Sequence, residues 1–225
     1  MTRKIATPAA VVHVTQSKKR HARGLGFVVA GGYVVTVAHN LPLPASKNGI
    51  YDCDSLVIET QAGDQLLMEP IFVDQCADLA VLGLSDANPE TAIDALDAVP
   101  PLPIAWTPVV GRHSGTVATH DRGSVKVVSE VRAASIRVAF AAKSPFTSGT
   151  SGGPVCDGNG RAMAVVSQTT SAADHRQGWG PTLGECLPAW LAKRILSHEK
   201  AIGGGLTSAK PADTHGKRKQ PRARG

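Results

Sequence analysis

The sequence has 225 residues, of which 42% are hydrophobic and 19% charged, enough to bury a core in one or two domains. Its formal net charge of +6 comes from the ends, because residues 1–24 hold six Lys and Arg with no acid and residues 203–225 hold six with one Asp. The absence of an apolar run near ~20 residues argues against a membrane-spanning helix, and four Cys without a Cys-x-x-Cys spacing argue against structural zinc.

Short apolar and β-branched runs predict six strands in the first half of the chain. They lie at residues 25–29, 33–37, 56–59, 66–69, 71–73 and 79–84. The first two flank Ala30-Gly31-Gly32, a hairpin signal. Residues 1–24 are predicted to be a basic segment before these strands, and the alanine-rich stretch 85–99 is predicted to hold a short helix.

The proline-rich segment 100–103 is predicted to cross from the first group of strands to a second. Further strands are predicted at residues 115–119, 125–131, 135–140, 154–156 and 162–168. An apolar stripe predicts a helix at about residues 187–198. The Gly-, Pro- and Lys/Arg-rich stretch 203–225 is predicted to be a disordered basic tail. The chain as a whole is predicted to be all-β.

Three short motifs carry the chemistry. Ser151 lies in Gly-Thr-Ser-Gly-Gly-Pro, His39 follows Val-Thr-Val-Ala, and Asp78 opens Asp-Leu-Ala-Val-Leu. A serine hydroxyl needs a neighbouring base, and that base needs a carboxylate that fixes its tautomer. The chain order His, Asp, Ser excludes the subtilisin and α/β-hydrolase arrangements. Asp74 is the nearest competitor to Asp78, and Asp157 is interpreted as a hairpin-turn residue.

These motifs resemble those of chymotrypsin-fold (trypsin-like) serine proteases, and most closely the bacterial Deg/HtrA type without its PDZ domain. The resemblance covers roughly residues 24–168. It implies two six-stranded antiparallel β-barrels with a C-terminal helix. We therefore expect a protease domain over residues 25–202, with the first barrel at about 25–99, the second at about 104–185 and the closing helix at about 187–198.

The resemblance also implies an oxyanion hole and a substrate-binding strand. The oxyanion hole is expected at Gly149, Thr150 and Ser151, with the Gly149 and Ser151 N–H groups as donors. Substrate is expected along Ser167, Gln168 and Thr169, with Ser167 beside the triad Asp. Residues 143–148 would form the other pocket wall. They hold no acid, and Asp174 is the only acid between Asp157 and Glu185, so small or apolar side chains are expected before the scissile bond.

The function that follows is a serine endopeptidase acting on protein or peptide substrates, with no metal and no cofactor. Two alternatives stay open: an inactive protease-fold scaffold, and a protein that binds nucleic acid through its basic ends. We favour a solvated tail over nucleic-acid contact. Since no N-terminal apolar run has signal-peptide length, a cytoplasmic location with free thiols is expected, while a Cys156–Cys186 bridge stays open.

Overall fold

The computed structural model describes residues 9–16, 19–42, 56–106, 112–119, 123–130, 137–142, 149–169 and 177–202. These residues form two antiparallel β-sheets with a few short helices. The predicted tail at 203–225 lies outside the described residues. No helix in the described part of the chain is both long and apolar enough to cross a membrane.

The first sheet is a closed six-stranded antiparallel barrel with the strand order β1-β2-β3-β6-β5-β4. Its strands are β1 (Val11–Gln16), β2 (Lys19–Val29), β3 (Tyr33–Thr36), β4 (Leu56–Glu59), β5 (Gln65–Asp74) and β6 (Leu79–Leu84). Residues that alternate along these strands fill the interior. The largest of these fully buried side chains are Leu56, Ile58, Met68 and Leu82.

The opposite faces of β2, β3 and β6 are buried as well. Phe27, Val35 and Val81 point away from the barrel interior and belong to a second core shared with the other sheet. A strand that is buried on both faces has no polar alternation. This burial explains why the run after Asp78 is apolar at every position.

The start of the barrel differs from the sequence prediction. The barrel begins at β1, which lies within the predicted basic segment 1–24. This strand belongs to the barrel because it pairs with β4 and its Val12 and Val14 are fully buried. The predicted strands 66–69 and 71–73 are one strand, β5, with a register shift between Pro70 and Phe72. Since proline lacks an N–H, a bulge at this point lets the ladder continue past it.

The second sheet is antiparallel with the strand order β11-β10-β7-β8-β9-β13-β12. Its strands are β7 (Arg112–Thr119), β8 (Gly123–Glu130), β9 (Arg137–Ala142), β10 (Pro154–Cys156), β11 (Ala162–Val165), β12 (Gln168–Thr169) and β13 (Gln177–Pro181). The predicted second six-stranded barrel is not confirmed. Among the described residues the sheet has seven strands, and an isolated antiparallel bridge joins Ala164 of the end strand β11 to Thr182, the residue that follows β13.

Three α-helices and one 3-10 turn complete the described structure, and the α-helices are α1 (Thr91–Asp97), α2 (Leu183–Cys186) and α3 (Ala189–Ala201). Helix α3 lies two to three residues later than the predicted 187–198 and buries Leu191 and Ile195 in the shared core. Its buried Glu199 accepts hydrogen bonds from the Ile104 N–H (2.9 Å) and the Trp106 indole N–H (3.0 Å). The helix is thereby attached to the segment that joins the two sheets.

Candidate active site

His39 lies in a single 3-10 turn, Ala38–Asn40, directly after β3. Buried Val34 and Val35 fix the strand, and the turn closes with a hydrogen bond from the Leu41 N–H to the Ala38 carbonyl (3.0 Å). The turn exposes the His39 side chain (44%) and buries the neighbouring Asn40. The His39 side chain is therefore accessible to solvent, while its backbone N–H is held by Asp78.

Asp78 ends the turn between β5 and β6 and has the left-handed φ of 55°. Left-handed backbone at a residue other than glycine is uncommon, and Asp tolerates it better than most residues. Asp74, the competing candidate, accepts the Ala77 N–H (2.9 Å) and so stabilises this turn. The structure therefore gives Asp74 a supporting role in the turn that carries Asp78.

Asp78 is the acceptor of three hydrogen bonds from two predicted site residues. Its Oδ2 lies 2.8 Å from His39 Nδ1, and its Oδ1 accepts the His39 backbone N–H at 3.1 Å. The Ser167 hydroxyl donates to the same Oδ2 at 2.5 Å. The two contacts to His39 fix both the backbone and the ring relative to the carboxylate. Nδ1 therefore faces an acceptor, which favours the tautomer that leaves Nε2 free to take a proton.

The environment of Asp78 keeps it ionised. Burial by itself would raise the pKa of this carboxyl. The hydrogen bonds from His39 and Ser167, together with the charge that His39 can carry, outweigh burial and hold the pKa of Asp78 below its usual 3.8. At neutral pH the site therefore holds a carboxylate beside the His39 ring.

The loop around Ser151 is shaped by two glycines with left-handed backbone, Gly149 (φ 89°) and Gly152 (φ 87°). The Gly152 N–H donates to the Val166 carbonyl (2.7 Å), and the Gly153 N–H donates to the Thr150 carbonyl (3.0 Å). No acceptor among the described residues takes the N–H of Gly149 or Ser151. These are the two donors that the sequence predicts for an oxyanion hole.

Residues of the first barrel bind the Ser151 loop directly. The Ser151 carbonyl accepts the Leu25 N–H of β2 (2.7 Å) and the Asn40 side-chain amide (3.0 Å). A Cβ atom on Gly152 would overlap the Leu25 carbonyl oxygen, so the close approach requires glycine here. Since Asn40 follows His39, these contacts bring the loop that carries Ser151 to the turn that carries His39. The sequence analysis did not identify Asn40 as part of the site.

The predicted substrate strand is partly described. Ser167 is buried and contacts Asp78, while Gln168 and Thr169 form β12, which pairs with β13 at Trp179 and Gln177. The predicted pocket wall at 143–148 and Asp174 lie outside the described residues. Within the described ranges, no group of three or more His, Cys, Asp or Glu could hold a metal ion.

Comparison with known proteins agrees with this architecture. Residues 24–165 match the family model for a trypsin-like peptidase domain. No curated protein matches the chain in sequence.

Similar solved structures include a serine endoprotease from Yersinia pestis (20% identity, TM-score 0.54, 88% of this chain and 65% of that one). They also include the active form of the Rv3671c protease from M. tuberculosis (20% identity, TM-score 0.53, covering 88% of this chain and 82% of that one). The inactive form of Rv3671c is comparably similar (19% identity, TM-score 0.53, covering 88% of this chain and 90% of that one). The chain thus spans less than two thirds of the Yersinia protein. Because the family match extends over more than half of its residues, the chain belongs to the family of trypsin-like peptidases.

Proposed function

We propose that this peptidase is a serine endopeptidase in which Ser151, His39 and Asp78 form the catalytic triad. The observation that carries the proposal is the double hydrogen bond between His39 and Asp78, with Ser167 on the same carboxylate oxygen. The contact between Asn40 and the Ser151 carbonyl supports a nucleophile loop next to the base.

In the proposed reaction, His39 Nε2 takes the proton of the Ser151 hydroxyl as its Oγ attacks the scissile carbonyl. Asp78 accepts the Nδ1–H of His39 throughout and stabilises the imidazolium that forms. The carbonyl π electrons move to oxygen, where the N–H groups of Gly149 and Ser151 donate to the oxyanion. Their lack of other acceptors among the described residues leaves both donors available for this role.

The tetrahedral intermediate then collapses and expels the amine, which takes its proton from His39. Ser151 is left as an ester of the acyl half of the substrate. Water attacks this ester while His39 removes one of its protons, and the Ser151 oxygen leaves with the proton that His39 returns. The acid product and the free enzyme result.

Substrate is proposed to lie along Ser167, Gln168 and Thr169. The absence of an acid in residues 141–150 supports a preference for small or apolar side chains before the cleaved bond. This preference concerns the substrate pocket and is separate from the proposal for the triad.

Cleavage of a peptide library tests the proposal. The wild type should cut peptides, and Ser151→Ala and His39→Ala should lower cleavage by about 10⁴-fold or more. Ser197→Ala and His198→Ala, both on exposed positions of α3, are matched controls that should cut like the wild type. Equal cleavage by wild type and Ser151→Ala would refute the proposal. A folded wild type that cuts nothing would favour the scaffold alternative.

A further inference from the structure

Asn40 is fully buried, and its amide nitrogen lies close to three oxygen atoms. They are the Ser151 carbonyl oxygen (3.0 Å), Thr36 Oγ1 (3.1 Å) and the Leu25 carbonyl oxygen (3.3 Å). The Thr36 hydroxyl donates its own hydrogen to the Leu25 carbonyl (2.7 Å), so it offers only a lone pair to Asn40. All three neighbours are acceptors, which requires the nitrogen of Asn40, and not its oxygen, to face them.

The contact completes the hydrogen bonding of the Ser151 carbonyl. A carbonyl oxygen has two acceptor positions. The Leu25 N–H fills one and Asn40 Nδ2 the other. Two donors that reach this oxygen from different directions oppose rotation of the peptide plane more strongly than one donor would. The N–H on the far side of the same plane, that of Gly152, is fixed by the Val166 carbonyl (2.7 Å).

The surroundings of Asn40 are built for an amide. A Cβ on Gly24 or on Gly152 would overlap the Asn40 side chain, so both glycines make room for it. Asn40 Oδ1 has no hydrogen-bond partner among the described residues, and a buried acceptor without a partner lowers stability. Leucine has a similar outline but donates no hydrogen bond, so Asn40→Leu removes the contacts of Nδ2 and keeps the bulk of the side chain. Of the three acceptors, only the Ser151 carbonyl belongs to the proposed nucleophile, and this contact is therefore the one that bears on the site.

We propose that Asn40 is a positioning residue that fixes the Ser151 carbonyl and thereby aims the Ser151 hydroxyl and N–H at the substrate. The proposal rests on the proposed function of Ser151 as nucleophile. Asn40 acts from the first barrel on a loop of the second sheet, 111 residues further along the chain. It thus couples the placement of the nucleophile to the turn that carries the base.

The experiment measures the reaction of Asn40→Leu with a fluorophosphonate probe, separating the maximal inactivation rate from the probe concentration at half-saturation. We expect the maximal rate to fall about 10- to 100-fold, because displacements near 1 Å at a reacting group have effects of this size. The half-saturating concentration should stay within about twofold, because Asn40 is buried behind the loop and does not contact the probe. A loss of stability alone would change neither quantity in the folded fraction, which thermal melting measures in parallel.

Asn88→Leu is the matched control. Asn88 makes three hydrogen bonds, with the Leu67 N–H and the carbonyls of Leu67 and Ser85, at the far end of β5 and β6. This variant should lose stability and keep the wild-type inactivation rate.

Each outcome bears on the proposal. A wild-type maximal rate in folded Asn40→Leu would overturn the positioning role while leaving the proposed function intact. If Asn40→Leu does not fold, Asn40→Ala is measured in the same way with the same expectation. If neither folds, Asn40 is needed for folding and the positioning role is rejected. Absence of labelling in the wild type would instead reject the proposed function itself.

Discussion

Replacing Asp78 by Asn tests the geometry around His39 most severely. An amide keeps the shape of the carboxylate but has one acceptor and one donor group. With the NH₂ in the place of Oδ2, the donors on His39 Nδ1 and Ser167 Oγ both face a donor. The His39 ring then accepts at Nδ1 and holds its proton on Nε2, where it cannot take the proton of Ser151. With the NH₂ in the place of Oδ1, the His39 backbone N–H loses its acceptor.

The size of the expected rate loss in Asp78→Asn follows from the charge pair between His39 and Asp78 and from the tautomer of His39. At an effective dielectric constant of about 20, opposite charges 2.8 Å apart attract by about 6 kcal/mol. The His39 side chain is 44% exposed, and solvent screening leaves about half of that. About 3 kcal/mol corresponds to about a hundredfold in rate. With the unfavourable tautomer added, we expect a total loss of about 10³- to 10⁴-fold.

The assay is the rate of fluorophosphonate labelling at neutral pH, with thermal melting as the check on folding. Asp74→Asn is the control. Asp74 stabilises the same turn, and its described contact there is with the Ala77 backbone N–H. This variant should lower stability and change the labelling rate of the folded protein by less than about tenfold. Labelling of Asp78→Asn within tenfold of the wild type would refute the reasoning about the tautomer and the charge pair.

Three further outcomes follow from described contacts. Because the pKa of Asp78 is lowered, its carboxylate stabilises the wild type at neutral pH; the stability difference from Asp78→Asn should shrink as the pH falls through that lowered pKa, and a constant difference would contradict this. Glu199→Gln replaces one acceptor oxygen by an NH₂ donor that faces a buried N–H donor, and it should lower the unfolding free energy by about 1–3 kcal/mol in thermal melts, whereas exposed Glu185→Gln should not. Burial raises the pKa of the Cys156 thiol to about 12, so iodoacetamide at pH 8 should alkylate exposed Cys76 first; equal rates in the native protein would be inconsistent with that burial.

The sequence predicts strands best where an apolar run has clear ends. The bounds of β4 and β6 agree with the predicted 56–59 and 79–84, because each run is mostly apolar and bordered by polar or turn residues. Prediction from the sequence fails where the local composition is typical of a loop or a solvated segment but the residues form a strand. Lys and Arg around β1 and the start of β2 indicated a solvated segment, although Val12 and Val14 complete the barrel interior. The strand β13 was missed because its glycines and proline resemble a loop.

In the candidate site as well, some residues are predictable from the sequence and others are not. The chemistry of a nucleophilic serine requires a histidine and a carboxylate, so the motifs and their order point to His39, Asp78 and Ser151. Asn40 and Glu199 give no such signal, because their partners lie 111 and 95 residues away in the chain. Only the tertiary packing of the sheets and of helix α3 brings these groups together, and periodicity along the chain carries no information about it.

The most direct measurement locates the adduct after labelling with a fluorophosphonate probe, by mass spectrometry of the digested protein. The proposal predicts a single adduct on Ser151 in the wild type and in the control Ser197→Ala. It predicts no adduct in Ser151→Ala and a loss of about 10³-fold or more in rate in His39→Ala. An adduct on a different residue, or none on a correctly folded wild type, would contradict the assignment of Ser151 as the nucleophile activated by His39.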